Sequence, residues 1–361
     1  MLFSNRRVEQ PLMQQLFNDV LEPNQSQGKA SVDDAQPHRV IQSEVFSNDI
    51  MRRCAFIALV FAPKAGPITV RRLLQRYTPE AVLDTPSDIL NDNDPDMDVR
   101  DRSFLSSLMH IKADTLRAFA EDQMQLAEQH HVKILTYEDA EYPTNLKGVP
   151  TAPPVLFVRG TLQDRDHLSV ALVGSRDASP QGRSRAAKLA SQLTEHQVIV
   201  VSGLARGIDT ASHKATIDAG GRTIAIVGCG LDRTYPSENA DLAAAIAESG
   251  AVISQFPLKS PPAAAHFPMR NKTMALFSLA TVVIEAGSQS GAKMQADFAL
   301  KTTLPTRHVF LLKSLIAAQG ESDWAHEFLK RGAQSMADID DLLKVLSLPT
   351  AEVVGQLRLP L

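Results

Sequence analysis

The chain has 361 residues, 44% hydrophobic and 22% charged, which is ordinary for a globular protein and leaves room for two or three domains. Its two cysteines, Cys54 and Cys229, lie far apart and outside any CxxC or His/Cys cluster, which excludes a disulfide framework and a zinc site and fits a reducing cytoplasm. The formal net charge of −4 argues against wholesale nucleic-acid binding, yet residues 168–312 hold 14 Lys/Arg against 10 Asp/Glu, so the acidic excess lies elsewhere.

Residues 1–48 are polar and without sustained periodicity; they are expected to form a flexible extension with one short helix near Leu12 to Val20. The opening "MLFSNRRVEQPLMQQ" lacks the apolar core of a secretory signal. No apolar run reaches the roughly 18 to 20 residues of a membrane span, so a cytoplasmic protein without membrane contact is expected. Residues 49–135 turn helical, with "MRRCAFIALVFAP", "GPITVRRLLQRYTPEAVL" and "SFLSSLMHIKADTLRAFAEDQMQLAEQHH" around an acidic spacer, "NDNDPDMDVRD", expected to be a solvated loop. Residues 136–346 begin with a lead-in of two short strands and then alternate apolar β runs with helical stretches, from "LSVALVG" to "RHVFLL". Strands without polar alternation, separated by helices, predict a Rossmann-like, doubly wound, mostly parallel sheet preceded by the small α-helical domain. The segment "DWAHEFLKRGAQSMADIDDLLKVL" reads as the last helices of that core, and 347–361 as a tail.

Ligands of an open parallel sheet bind beyond the carboxyl ends of its strands. Those ends carry "GSRDASPQG", "SGLARGID", "GCGLDRTYPSEN", "FPLKSPPAAAHFPMRN" and "EAGSQSG", and three of the five set an arginine beside a glycine or a helix start: Arg176, Arg206 and Arg270. A glycine turn that opens a helix aims backbone N–H groups and the helix dipole at whatever sits above it, so phosphate is the expected guest. Each residue also has an ordinary role open to it. Asp209 neutralises Arg206 or caps a helix; Gly203 and Gly207 serve the turn; His213 packs; Ser290 holds a phosphate or begins a helix. The dinucleotide fingerprint and the Walker motif are absent. Glu285 is the one candidate general base, and no serine elbow accompanies it, so no catalytic residue, metal or cofactor is expected.

The ordered series "VALVGSR", "VVSGLARGIDTASHKA", "GGRTIAIVGCGLDRTYPSEN", "HFPMRN" and "VIEAGSQSG" strongly resembles the DNA-processing protein A family, also called DprA or Smf, from about Met51 to Leu346. The resemblance implies a cytoplasmic homodimer that binds and protects single-stranded DNA and helps load a RecA-type recombinase during natural transformation and recombination. It implies phosphate contacts by Gly174, Ser175, Arg176, Ser202, Gly203, Arg206, Gly207, Arg270, Asn271 and Lys272, and base stacking on Phe267.

Three departures stand out: Lys272 and Leu276 where the family has arginine and glycine, Gln295 for a threonine, and "LLKSL" at Leu311 to Leu315 for a proline-glycine. The segment "FAPKAGPITVRRLLQRY" resembles a helix-hairpin-helix whose hairpin glycine has become Lys64, which favours packing or protein contact over duplex binding. The winged-helix domain at the end of many members is not expected in the residues that follow "RHVFLL". Two other readings compete: a nucleotide sensor or nucleotide-processing enzyme with a phosphate loop at Glu285, Ser290 and Gly291, and a relative adapted to a mobile element or defence system.

Overall fold

The computed structural model describes residues 43–347 apart from 93, 304 and 319–322, with side chains from 49 onward. The expected extension up to residue 42, with its helix near Leu12 to Val20, and the tail from 348 lie outside the described residues. The chain divides into two units, one ending at Gln129 and the other starting at His130.

The first unit is helical: α1 (Ser43–Phe61), α2 (Pro67–Leu74), α3 (Pro79–Asp84), α4 (Pro86–Asn91), α5 (Val99–Leu108) and α6 (Ala113–Gln129). Helix α1 begins ahead of Met51, where the pattern turns apolar, because backbone hydrogen bonding rather than apolar content sets a helix boundary. Prolines open α2, α3 and α4 at the position where a missing N–H costs nothing. Phe56, Ile57, Phe104 and Leu105 are buried, and the Phe61 and Phe119 rings meet edge to face at 5.9 Å. In the turn between α1 and α2, Lys64 adopts φ 64°, so the hairpin keeps a left-handed residue without glycine, at a cost of about 1–2 kcal/mol.

The acidic spacer is a largely exposed loop, as expected, but several of its acids are paired with arginines. Arg76 Nη1 lies 2.5 Å from Asp94, and Arg72 Nη1 lies 2.7 Å from Asp98 and 3.1 Å from Asp101. Asp98 also caps α5, accepting from the N–H groups of Arg100 and Asp101 at 2.7 and 3.0 Å. Alternating acids looked hydrophilic in sequence; the arginines that pair with them, Arg72 in α2 and Arg76 just after it, lie 18 residues or more away.

The second unit is built on one nine-stranded sheet: β1 (Lys133–Thr136), β2 (Val155–Gly160), β3 (Ser169–Gly174), β4 (Ile199–Ser202), β5 (Thr223–Val227), β6 (Ala251–Ser254), β7 (Ala280–Glu285), β8 (His308–Leu312) and β9 (Gln334–Met336). The order is β1-β2-β6-β5-β4-β3-β7-β8-β9, parallel from β6 to β9, with the lead-in strands β1 and β2 added antiparallel at one edge. Its helices are α7 (Thr144–Lys147), α8 (Pro180–Glu195), α9 (Ile208–Asp218), α10 (Ala240–Ser249), α11 (His266–Phe277), α12 (Gly291–Leu300), α13 (Lys313–Ala317), α14 (Trp324–Lys330) and α15 (Ile339–Val345). The mostly parallel, Rossmann-like sheet is the one the apolar runs predict. The closing segment, expected as helices, also holds β9, which at three residues is too short to show a period.

Successive residues of β3 serve opposite faces. Val170 and Leu172 pack with the Ala186, Leu189, Ala190 and Leu193 stripe of α8, while Ala171 and Val173 pack with Met274 to Leu276 of α11 and the alanines of α12. Burial on both faces explains why the strands read as continuous apolar runs, each fully buried large side chain contributing about 1.5–3 kcal/mol. From β3 the chain winds outward through β4, β5 and β6, then returns to place β7 on the other side of β3. The topological switch point therefore lies between β3 and β7.

Candidate functional site

A doubly wound sheet ordinarily takes its ligand at the switch point, in the crevice beyond the strand ends. Here that crevice is filled from within. Glu285, the last residue of β7, accepts from Ser179 N at 2.8 Å and from Ser179 Oγ at 2.5 Å, and Ser179 in turn caps α8 by accepting from Gly182 N at 2.9 Å. The protein's own carboxylate thus sits at the helix N-terminus where a phosphate would. Ser290 Oγ likewise accepts from Ala292 N at 3.1 Å and caps α12. The loop considered for a nucleotide therefore spends Glu285 and Ser290 on helix ends.

The open cleft lies next to it, beyond β3, β4 and β5. It has a volume of about 250 Å³, and its lining includes Arg176, Gly203, Arg206, Tyr235, Phe267 and Arg270. Arg176 and Arg206 are exposed, and among the described residues neither has a carboxylate partner. Phe267 and Arg270 stand three residues apart on α11 and so share a face. The N-terminus of that helix is fixed by His266, whose ring stacks on Phe256 at 4.0 Å and whose Nδ1 meets Gly228 O at 3.1 Å. The guanidinium carbons of Arg176 and Arg270 lie 5.2 and 6.0 Å from the Phe267 centroid, within cation–π range.

Beneath the cleft is a buried polar layer. Asp209, in the first turn of α9, turns away from Arg206 and accepts from Gly203 N and Ala205 N at 3.1 and 3.3 Å. Arg270 donates from Nη1 to Ile226 O at 2.9 Å. Burial pushes the Asp209 carboxyl above its usual range, and the Arg270 charge and the N–H donors pull it back; burial also lowers the Arg270 pKa, and Asp209 opposes that. His213 is wholly buried, with Nδ1 2.7 Å from Thr223 Oγ, and desolvation followed by the nearby Arg270 charge lowers its pKa to about 3. It is a neutral packing residue, as expected. Cys229 is a buried thiol whose pKa burial raises to about 11, too high for a nucleophile.

Of the residues singled out in sequence, Arg176, Gly203, Arg206, Phe267 and Arg270 meet in this cleft. Gly174, Ser175 and Gly207 are not in its lining; they join the neighbouring loops through backbone, where Ser175 N donates to Glu285 O at 2.7 Å and Ile208 N donates to Ser175 O at 3.2 Å. Gly207 needs its φ of 76° and has no room for a Cβ against Ser175. Three residues point elsewhere. Ser202 Oγ donates to Leu172 O at 2.7 Å, Asn271 Nδ2 donates to Gly291 O at 3.2 Å, and Lys272 is not part of the lining. The N–H group of Gly203, expected to face a phosphate, is taken by Asp209 instead, as is that of Ala205.

Tyr235 and Glu238 were missed; their loop was noted as a strand end, but nothing in its spacing brings it to Phe267. A larger cleft of about 420 Å³ opens beyond the amino ends of the strands, but it carries Glu141, Asp164 and Asp166 and does not suit an anion. Among the described residues, no group of His, Cys, Asp and Glu could hold a metal ion, and no helix is long and apolar enough to cross a membrane.

On a Rossmann-like sheet, three guanidinium groups and two aromatic rings surround one open cleft, groups whose chemistry suits anions and aromatic faces. The family model of DNA recombination-mediator protein A matches residues 133–347, and the chain belongs to that family. It is 35% identical over 229 residues to Protein Smf of Synechocystis, a match covering 62% of this chain and 56% of that protein. It is 37% identical over 202 residues to the DNA processing protein DprA of Streptococcus pneumoniae, covering 56% of this chain and 70% of that one. The X-ray structure of the pneumococcal protein superposes with a TM-score of 0.61 at 25% identity over 87% of this chain and all of that one. DNA processing protein A of Helicobacter pylori, known for a single-stranded DNA binding mode, superposes with a TM-score of 0.51 at 26% identity, over 60% of this chain and 97% of that one. The chain thus spans little more than half the length of the Synechocystis relative.

Proposed function

We propose that the protein binds single-stranded DNA in the arginine cleft, without chemical turnover, and serves as a recombination mediator that passes the strand to a RecA-type recombinase. The observation that carries the reading is the convergence of Arg176, Arg206 and Arg270 with Tyr235 and Phe267 on one open cleft. Guanidinium groups neutralise successive phosphates whatever the sequence, and aromatic faces accept any base. A homodimer acting in the cytoplasm is part of this proposal, as is binding without metal or cofactor. Contacts to DNA are assigned to Arg176, Arg206, Arg270 and Phe267, with Gly203 in the wall; Gly174, Ser175, Ser202, Gly207 and Asn271 act as supports. The engagement of Glu285 with Ser179 counts against the nucleotide-processing alternative.

The test is fluorescence anisotropy with labelled oligo-dT and with duplex of equal length, across a salt series. Wild-type protein is expected to prefer the single strand with a steep salt dependence. The Arg176→Ala/Arg206→Ala double variant is expected to bind at least tenfold more weakly, with the log–log salt slope reduced by about 0.7 per lost phosphate contact. Equal affinity of the double variant and wild type would reject the cleft as the DNA site.

A further inference from the structure

We infer that Tyr235, rather than Phe267 alone, is the surface on which a base of the bound strand stacks, with Phe267 as its support. The inference rests on the reading of the cleft as a single-stranded DNA site and assigns a residue within it. Phe267 is half-buried, and the Arg176 guanidinium lies 5.2 Å from its centroid. Tyr235 lies 5.9 Å from it, tilted by 46°, and is 43% exposed on the rim of the same cleft.

What distinguishes Tyr235 is its place, an exposed ring lining the same cleft as Arg176, Arg206 and Arg270. Among the described residues of this unit only Tyr235 and Met294 are large, hydrophobic and exposed. The Tyr235 loop is tied down on its C-terminal side, where Asn239 Nδ2 donates to Leu204 O at 2.8 Å and to Thr210 Oγ at 3.0 Å. The ring is therefore held out over the cleft by a braced loop. Its hydroxyl has no hydrogen-bond partner among the described residues, so no internal bond accounts for its position. A ring presented within reach of cations that hold phosphates has the geometry of a base platform, because base and phosphate of one nucleotide must be met together.

The experiment compares Tyr235→Ala and Tyr235→Trp with wild type on oligo-dT and on an abasic oligonucleotide of equal length, with Arg176→Ala/Arg206→Ala as the reference variant. Expected are a loss of about 5- to 100-fold for Tyr235→Ala on oligo-dT, wild-type or tighter binding for Tyr235→Trp, and equal binding of Tyr235→Ala and wild type on the abasic strand. If the arginine variant weakens binding while Tyr235→Ala does not, the stacking role is overturned and the cleft reading stands. Equal losses for Tyr235→Ala on abasic and base-carrying strands would make Tyr235 a mere support, which also overturns it. If neither variant weakens binding, the cleft reading itself fails and takes this assignment with it.

Discussion

The Arg270 guanidinium fills the space that a side chain on Gly203 would need, since an ideal Cβ there overlaps Nη1. Arg270 is buried and tied to Ile226 O at 2.9 Å, so it has no easy way to step aside. Gly203→Ala is therefore expected to cost about 1–3 kcal/mol and to displace the cation. On the proposed reading, single-stranded DNA affinity falls tenfold or more, matching Arg270→Ala. Gly228→Ala, whose Cβ would meet Phe267 at 3.3 Å, asks for a shift of only a few tenths of an ångström and is expected to stay near wild type. Thermal melts and anisotropy on the pair check this, and a Gly203→Ala variant with unchanged affinity would detach Arg270 from the site.

Asp209 holds the Gly203 turn from below and offsets the buried Arg270 charge. Asn at 209 keeps an oxygen for the two N–H groups but removes the negative charge. Stability is expected to fall by about 1–3 kcal/mol, since a hydrogen-bonded charge is lost beside a buried cation. A bound phosphate restores part of that compensation, so the rise in melting temperature on adding oligo-dT is expected to be larger in Asp209→Asn than in wild type. A smaller rise would mean that Arg270 does not sense the ligand.

How much of this was open to sequence reading depends on distance along the chain. Arg176, Arg206 and Arg270 were legible because each follows a strand whose apolar run announces its own end, and an α/β sheet gathers such ends at one edge. The direction of each side chain was not. Whether Asp209 answers Arg206 three residues away or Arg270 sixty-one residues away is decided by packing of α9 against α11's loop neighbours, which no local period encodes. Glu285 and Ser179, 106 residues apart, close the switch-point crevice only because β7 lies beside β3. Tyr235 went unnoticed because exposure, not residue type, marks it.

Away from the cleft, Arg222 and Asp166 form a buried two-bond pair, Nε to Oδ1 at 2.7 Å and Nη2 to Oδ2 at 2.8 Å. Arg222 also donates to Thr161 O and Ser249 O, at 2.5 and 2.7 Å, joining the segment after β2 to the end of α10. Removing one partner leaves the other charge buried and unpaired, so Arg222→Leu is expected to destabilise the unit by about 3–5 kcal/mol. DNA affinity of the folded protein at low temperature should not change, because neither residue lines the cleft or bonds to a residue that does. Urea denaturation against anisotropy separates the two effects; a loss below about 1 kcal/mol would show that the pair is dispensable.

His213 makes stability depend on pH in a defined direction. Thr223 Oγ donates to Val200 O at 2.7 Å, so it must accept from His213 Nδ1–H; Nε2 has no partner among the described residues, which fixes the neutral tautomer. The folded pKa is lowered from 6.5 to about 3, so between these values the unfolded chain binds a proton that the folded chain refuses. Stability contributed by this group is complete above pH 6.5 and is lost as pH falls, by about 1.4 kcal/mol per unit until the folded pKa is reached. Asn at 213 places an amide donor near the Nδ1 position and does not titrate. Urea unfolding at pH 7.5 and pH 5 is expected to give a drop for wild type that exceeds the His213→Asn drop by about 2 kcal/mol, the remainder in both coming from other groups. Equal drops would mean that His213 gains a proton in the folded state, which requires the Arg270 layer to be open to water rather than sealed beneath the cleft.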